Sequence, residues 1–579
     1  MIFDAIFDDM FDEIFGHLDE SRACGDSRAL LMPVQLDLKP NRRKYAMLKL
    51  LIGPLSLKWL AFCALWVVVF CNRAFFGHLL ASYPLAEGHV YFLGAVAVLL
   101  FGLVLAELCI LALVISARLA AIVLLLASSL LSFFTDQYGT VFDSVMVQNL
   151  FETQAAEAMN LMSLGLFLQA LIFGLLPALG IALLPLSKTS LRAHLQPALG
   201  IGIGVGLALA AIAPATATFS SFFREHKALH YFTTPIYSVY GVAGYLKGVL
   251  SVDGDRVIMP TSSYAYIPTN DHAYDLVVLI VGETARADHF SLNGYARNTN
   301  PKLGRRPDVI SFSQMTSCGT STAVSVPCMF SYDKKSEFDQ DSIFESMNVL
   351  DTLAKAGVDV LWRDNNSSSK HVADRVRYEN YRDRALNTIC DVECRDEGML
   401  VGLQSWLTEA PNDKLIVLHQ MGSHGPDYFH RYPAGFEQFQ PACQTSELGD
   451  CSLDEITNAY DNSLLYTDHF IDKAIQLLEQ NQGQYEVSLI YVSDHGESLG
   501  EQGLYLHGLP DLIAPEAQTH VPLLVWGGIS SDIDLGATRK FKDLPFSHDD
   551  LPNVLLALFE VETDAFLDLP EPMIMIKPH

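Results

Sequence analysis

The sequence predicts two structural classes in one chain: an α-helical transmembrane domain of five spans, then an α/β domain outside the membrane. Three observations predict this. Half of the 579 residues are hydrophobic and only 18% are charged, too apolar for a soluble protein of this length. The apolar residues concentrate between about residues 57 and 217, whereas the chain after about Asp275 has ordinary globular composition. In that second part, continuous apolar β-type runs alternate with helical patterns. The expected divisions are an acidic cytoplasmic N-terminal extension (1–56), the transmembrane domain (57–217), a linker on the outer membrane surface (218–272) and the α/β domain (273–579).

A hydrocarbon core takes roughly 20 apolar residues per helix. Five stretches meet that length, at about residues 57–76, 90–113, 117–135, 161–185 and 197–217. Basic residues mark alternate connections. Arg42, Arg43, Lys44, Lys49 and Lys58 lie at the start of the first stretch, Arg118 between the second and third, and Lys188 and Arg192 between the fourth and fifth. The connection after the third carries Asp136, Asp143, Glu152 and Glu157 but no Lys or Arg. That bias sets the N-terminus in the cytoplasm, with Arg73 as the exception, and an odd number of spans sends the α/β domain outside.

Cysteine usage tests the orientation. Cys24, Cys63, Cys71 and Cys109 lie in the first half; the other six form close pairs, Cys318 with Cys328, Cys390 with Cys394, Cys443 with Cys451. Local pairs suit disulfides in an oxidising compartment, with buried free thiols as the alternative. A formal charge of −28 argues against a nucleic-acid partner. The acidic, amphipathic first 40 residues lack the basic and apolar regions of a signal peptide. They read either as a cytoplasmic helix or partner segment, or as sequence preceding a true start at Met32 or Met47.

Residues 218–270, rich in Tyr, Phe, Gly and Ser, read as interfacial structure. Beyond them the runs DLVVLIVGE, KLIVLHQMG and VSLIYVSDHGE read as buried parallel strands. Ligands bind off the carboxyl ends of such strands. Glu283, His424 and the pair Asp494–His495 each follow one of these runs, so three strands deliver carboxylate and imidazole to one rim. Alone, each is a strand-end polar group; together they describe an open catalytic metal site. Between Gly319 and Cys328 a hydroxyl-rich run, GTSTAVSVPC, reads as a helix entry, where free N–H groups favour an anion. A hydroxyl such as that of Thr322 is a poor nucleophile at neutral pH unless a dication lowers its pKa.

These residues carry a family resemblance. GETARADHFSLNGYARNTNP, SCGTSTAVSVPCMFSY, RDNNSSSK, HQMGSHGP and SDHGESLGEQGLYLHG resemble the membrane-bound phosphoethanolamine transferases that modify lipid A, a family that includes the mobile colistin-resistance enzymes. The wider group is the alkaline phosphatase and sulfatase superfamily. The resemblance spans roughly residues 57–579 and implies an alkaline-phosphatase-like catalytic domain in the periplasm of a multi-pass bacterial inner-membrane protein. It singles out Thr322 as the nucleophile and gives Glu283, Thr322, Asp494 and His495 as ligands of one zinc, with a second zinc as an alternative. His424 and His507 would line the rest of the site, binding phosphate or the further zinc and protonating a leaving group. Ser367 and Lys370 match positions that hold the phosphoethanolamine group.

Asn149, Thr153 and Glu157 recur every four residues and share one face of an amphipathic helix. By themselves they read as a solvated face; the resemblance implies that they bind substrate. The expected donor is phosphatidylethanolamine and the acceptor lipid A or another envelope glycan, handled by a monomer. Adding an ammonium group to that surface should weaken binding of cationic peptides such as polymyxins. The alternatives are another acceptor, such as a core sugar or periplasmic glucan, or transfer of phosphoglycerol. A sulfatase is disfavoured because Pro327-Cys328 has the wrong order for a Cys-x-Pro-x-Arg pattern. A non-catalytic membrane sensor need not keep Glu283, Thr322, Asp494 and His495 together.

Overall fold

The first apolar stretch does not fold as one straight helix. In the computed structural model, which describes residues 55–152, 159, 161–184, 191–251, 258–269 and 273–577, it forms α1 (Leu57–Phe70) and α2 (Arg73–Ser82), bent by 58°. Asn72 explains the break. Its buried amide donates to the carbonyls of Val67 (3.1 Å) and Thr234 (2.8 Å), and its Oδ1 accepts the Thr234 N–H. The Val67 carbonyl, which already accepts the Cys71 N–H, takes a second donor there, and the Thr234 backbone is anchored at the break. The neighbouring Arg73, the exception to the basic-residue bias, is 3.1 Å from Asp136.

α3 (Val90–Val114) and α4 (Ala117–Tyr138) are long, apolar helices. The next connection contains α5 (Ser144–Glu152), after which α6 (Leu164–Leu183, with a π-turn at Ala170–Leu175) and α7 (Leu191–Ile212) complete, among the described residues, four helices long and apolar enough to span a membrane. The bent pair α1–α2 stands where the first of the five expected spans, 57–76, lies, and makes the number five if it counts as one span. α3 and α7 cross closely because glycines meet there: a Cβ at Gly102 would run into the Gly204 carbonyl. The expected linker is helical, in α8 (Thr216–Glu225) and α9 (Ile236–Ser251). Phe219 and Phe222 of α8 pack against Phe92 of α3, 5.1 and 5.5 Å between ring centroids.

The chain divides into two compact units. One takes the described part of Met1–Asp136 with Leu164–Gly244; the other takes Gln137–Ser163 with Tyr245–His579. The boundaries therefore differ from a simple division at 217 and 272, because the connection carrying α5 packs with the α/β domain. Tyr138 donates to the Ser446 carbonyl, and α5 lies against the helix that begins at Thr322. The acidic extension, with Cys24, Met32 and Met47, lies outside the described residues, as do Thr153 and Glu157.

The second unit is built on an eight-stranded sheet: β1 (Tyr274–Gly282), β2 (Val309–Thr316), β3 (Asp359–Asp364), β4 (Arg377–Asn380), β5 (Lys414–His419), β6 (Tyr485–Ser493), β7 (His520–Gly527) and β8 (Phe546–Ser547). Their spatial order is β8-β2-β7-β6-β1-β5-β3-β4. β7 is antiparallel to both neighbours, while β6, β1, β5, β3 and β4 are parallel. Leu276 to Val281 in β1 are all fully buried, which accounts for the unbroken apolar run. α10 (Thr322–Met329), α11 (Val349–Ala356), α12 (Leu453–Glu479) and α13 (Leu551–Leu558) accompany the sheet, α11 and α12 each opening on a capping box. The carboxyl ends of β1, β3, β5 and β6 consequently open along one edge.

Candidate active site

Register assembles the centre of that edge. Gly282 at the end of β1 stands opposite Ser493 at the end of β6, so the next residues, Glu283 and Asp494, emerge side by side. Both are buried, as is His495. Thr284 is held at a positive φ of 54° and turns its N–H to Asp494 Oδ1, which also accepts the His495 N–H at 2.7 Å. Thr322 is the first residue of α10 and half-buried, as the expected helix entry requires. Its hydroxyl donates to Glu283 Oε2 at 3.0 Å and lies 3.3 Å from His495 Nε2.

His495 Nδ1 donates to the Gly496 carbonyl, leaving Nε2 with a lone pair. That lone pair faces Glu283 Oε1 at 3.5 Å and Asp494 Oδ2 at 3.3 Å, and neither oxygen has a hydrogen-bond partner. Burial, then the adjacent Asp494 carboxylate, push the Glu283 carboxyl well above its usual range; burial lowers the His495 imidazole. Two orphaned carboxylate oxygens and an imidazole lone pair converging in a buried space make an unfavourable arrangement without a cation. Glu283, Asp494 and His495 can all present ligand atoms within 4.8 Å of one another. The donor set fits a dication, with Thr322 Oγ1 within reach as a fourth ligand.

The outer half is organised differently. His424, in the turn after β5, is half-buried with Nδ1 unpartnered; burial and then the nearby His507 hold its pKa well below the usual imidazole value. His507 pairs through Nδ1 with Glu497 at 2.8 Å. Burial lowers the His507 pKa, but the Glu497 carboxylate overrides it and leaves it raised. The His507 ring centroid lies 4.4 Å from that of His495 and 5.4 Å from that of His424. Glu283, His424 and His507 form a second group able to converge on an ion or an anion-bridging cation, sharing Glu283 with the first.

Sequence reasoning missed several supporting residues. Asn366 donates to Glu283 Oε2 (2.6 Å) and to the Gln420 carbonyl, tying the β3 and β5 ends to the ligand. Glu497 orients His507 and also accepts from Tyr428 OH at 2.6 Å. Asp396 accepts the Met421 and Gly422 N–H groups and so holds the turn bearing His424. Asn366 and Glu497 lie inside the RDNNSSSK and SDHGESLG motifs, which was the available signal; Asp396 had none.

Ser367 and Lys370 follow Asn366 on the same loop, Lys370 buried and both it and His371 at positive φ. Asn149 sits on α5, whose Met146 approaches Gly508, the neighbour of His507. All three expected disulfides are formed, Cys318–Cys328, Cys390–Cys394 and Cys443–Cys451, and the first closes a loop around the start of α10. Cys63, Cys71 and Cys109 are free and buried.

The Sulfatase family model matches residues 275–561, and the model for phosphoethanolamine transferase EptA/EptB matches residues 98–249. Phosphatidylethanolamine transferase Mcr-1 of Escherichia coli is 41% identical over 522 residues, 87% of this chain and 95% of that protein. Phosphoethanolamine transferase EptA of Salmonella typhimurium is 36% identical, covering 88% of this chain and 94% of its own. The solved structure of integral membrane lipooligosaccharide phosphoethanolamine transferase A from Neisseria meningitidis superposes with a TM-score of 0.83 at 32% identity, covering 88% of this chain and 97% of that one. With full-length relatives at this identity and a structural match across both units, the chain belongs to the phosphoethanolamine transferase family.

Proposed function

We propose that the protein transfers phosphoethanolamine from phosphatidylethanolamine to lipid A through a phosphoethanolaminated Thr322. The observation that carries this reading is the single hydroxyl, at a helix N-terminus, shared between Glu283 Oε2 and His495 Nε2. Glu283, Thr322, Asp494 and His495 would hold zinc, which when bound supplies a Lewis acid for the developing charge. The alternative is a second zinc on Glu283, His424 and His507, which would take His507 Nε2 as a ligand and so exclude it as the proton donor.

In the first step the Thr322 Oγ–P bond forms while the bond from phosphorus to the diacylglycerol oxygen breaks. The Thr322 proton is aimed at Glu283, and His507, kept protonatable by Glu497, delivers a proton to the departing diacylglycerol oxygen. In the second step an acceptor phosphate oxygen attacks the same phosphorus, the Oγ–P bond breaks and Thr322 takes back the proton from Glu283, while His507 is reprotonated from solvent. The N-terminus of α10 turns its N–H groups toward the charge that develops there. Ser367 and Lys370 would hold the phosphoryl group, and Asn149, Thr153 and Glu157 the ammonium end of the donor. The apolar helices and the three periplasm-compatible disulfides support an inner-membrane protein with its catalytic unit in the periplasm.

The test is mass spectrometry of lipid A from cells expressing the chain, with a polymyxin susceptibility assay in parallel. A phosphoethanolamine addition present with the intact chain and absent with Thr322→Ala is expected, together with reduced polymyxin susceptibility. Modification of a periplasmic glucan or a core sugar alone would move the acceptor, and modified lipid A in the Thr322→Ala strain would remove the nucleophile.

A further inference from the structure

Thr322 and the pair Asp494–His495 come from distant parts of the sequence, and one buried imidazole bridges the backbone that flanks them. His548 follows β8, whose register with β2 sets Ser547 opposite Thr316, two residues before Cys318. A capping box fixes its turn: Ser547 Oγ accepts from the Asp549 N–H, and the Asp550 carboxylate accepts the Ser547 N–H at 2.9 Å. His548 is fully buried. Its Nδ1 lies 3.1 Å from the Cys318 nitrogen, and its Nε2 lies 3.0 Å from the Ser493 carbonyl oxygen.

A backbone N–H only donates and a carbonyl only accepts, so these two bonds assign the tautomer. Nδ1 accepts from Cys318, and Nε2 carries the proton and donates to Ser493. Burial pushes the ring pKa down to about 4, consistent with that neutral form. Cys318 opens the disulfide loop that presents Thr322. Ser493 immediately precedes Asp494 and His495.

We propose that His548 is a positioning residue: by bridging the Cys318 amide and the Ser493 carbonyl it sets the separation of Thr322 from Asp494 and His495. The inference rests on Thr322 as the nucleophile. The bridge needs one acceptor and one donor held a short distance apart, which an imidazole and the carboxamide of Gln both provide. Phe fills the same space with neither. A misplacement of about 1 Å between reacting groups costs on the order of 10²-fold in rate, so a lost bridge acts on turnover before it acts on binding.

The experiment compares the full-length zinc-loaded chain in detergent with H548Q and H548F. It measures kcat and KM for diacylglycerol release from phosphatidylethanolamine, the thermal midpoint, and hydrogen exchange of the peptide containing the Cys318 amide. H548F is expected to lose roughly 10- to 100-fold in kcat with donor KM within about twofold. Its Cys318 peptide should exchange faster, and H548Q should restore both kcat and protection. H548F with wild-type kcat, or H548Q as slow as H548F at an equal thermal midpoint, would overturn the proposal. If H548F does not accumulate folded, H548N, too short to reach both partners, takes its place with the same outcomes. Failure of the wild-type chain to cleave the donor would instead remove the Thr322 reading. The exchange comparison would still decide the bridge, since equal exchange in all variants overturns it.

Discussion

The inner and outer halves of the site use the same residue types for opposite ends. In the inner half, Glu283 Oε1 and Asp494 Oδ2 have no hydrogen-bond donor and point at an imidazole lone pair. In the outer half, both oxygens of Glu497 are satisfied, by His507 and by Tyr428. Burial makes unpaired anions costly, so the inner half is complete only with a cation. In the outer half Glu497 needs none, and its field favours a proton on His507, while His424 Nδ1 stays unpartnered. The difference teaches that a carboxylate's role here follows from what is left unsatisfied around it.

The largest expected effect falls where the halves meet. Thr322→Ala should lower transfer by roughly 10⁴-fold or more while circular dichroism and thermal midpoint stay near wild type. Next, Asp494→Asn should reduce metal affinity at least about 100-fold, and activity with it, as read by metal analysis of the purified chain. A chelator should abolish activity in the wild type and added zinc should restore it. Glu497→Gln tests the other half and should cost roughly 10-fold in kcat with metal content unchanged.

Its pH profile gives the sharper reading. Glu497 is what raises the His507 pKa, and in the proposed mechanism a protonated His507 is the donor, so the rate should fall as pH rises through that pKa. Removing the carboxylate should move this descending limb to lower pH. If Glu497→Gln lost its metal as Asp494→Asn does, the division of labour would break. Lys370→Ala should raise the donor KM by about 10-fold with a smaller change in kcat. Smallest of all, replacing Cys390 and Cys394 together by Ser should cost about 2 kcal/mol of stability, given so short a loop, and leave kcat nearly unchanged.

How much of this was legible depends on how far each signal reaches along the chain. The candidate ligands Glu283, Asp494 and His495 could be read because long apolar runs end on them, and strand ends share an edge in a parallel sheet. Asn366, Asp396 and Glu497 are single polar residues in loops, whose value depends on partners 54, 25 and 69 positions away. The bend at Asn72 lay hidden in an unbroken hydropathy signal, since one amide barely alters a window average. Composition makes the segment from 218 look like a linker, although Phe219, Phe222, Phe223 and His226 repeat with helical spacing. Thr322 stood out from its hydroxyl neighbours only through the motif, and geometry supplies the physical reason: it begins a helix beside Glu283 and His495.

The most direct measurement is peptide mass spectrometry of the full-length zinc-loaded chain after incubation with phosphatidylethanolamine and no acceptor. A phosphoethanolamine adduct on Thr322, discharged when lipid A is added and absent from the Thr322→Ala chain, is the predicted result. An adduct on a neighbouring hydroxyl such as Ser321 or Ser325, or diacylglycerol release with no adduct on the chain at any time, would contradict the account.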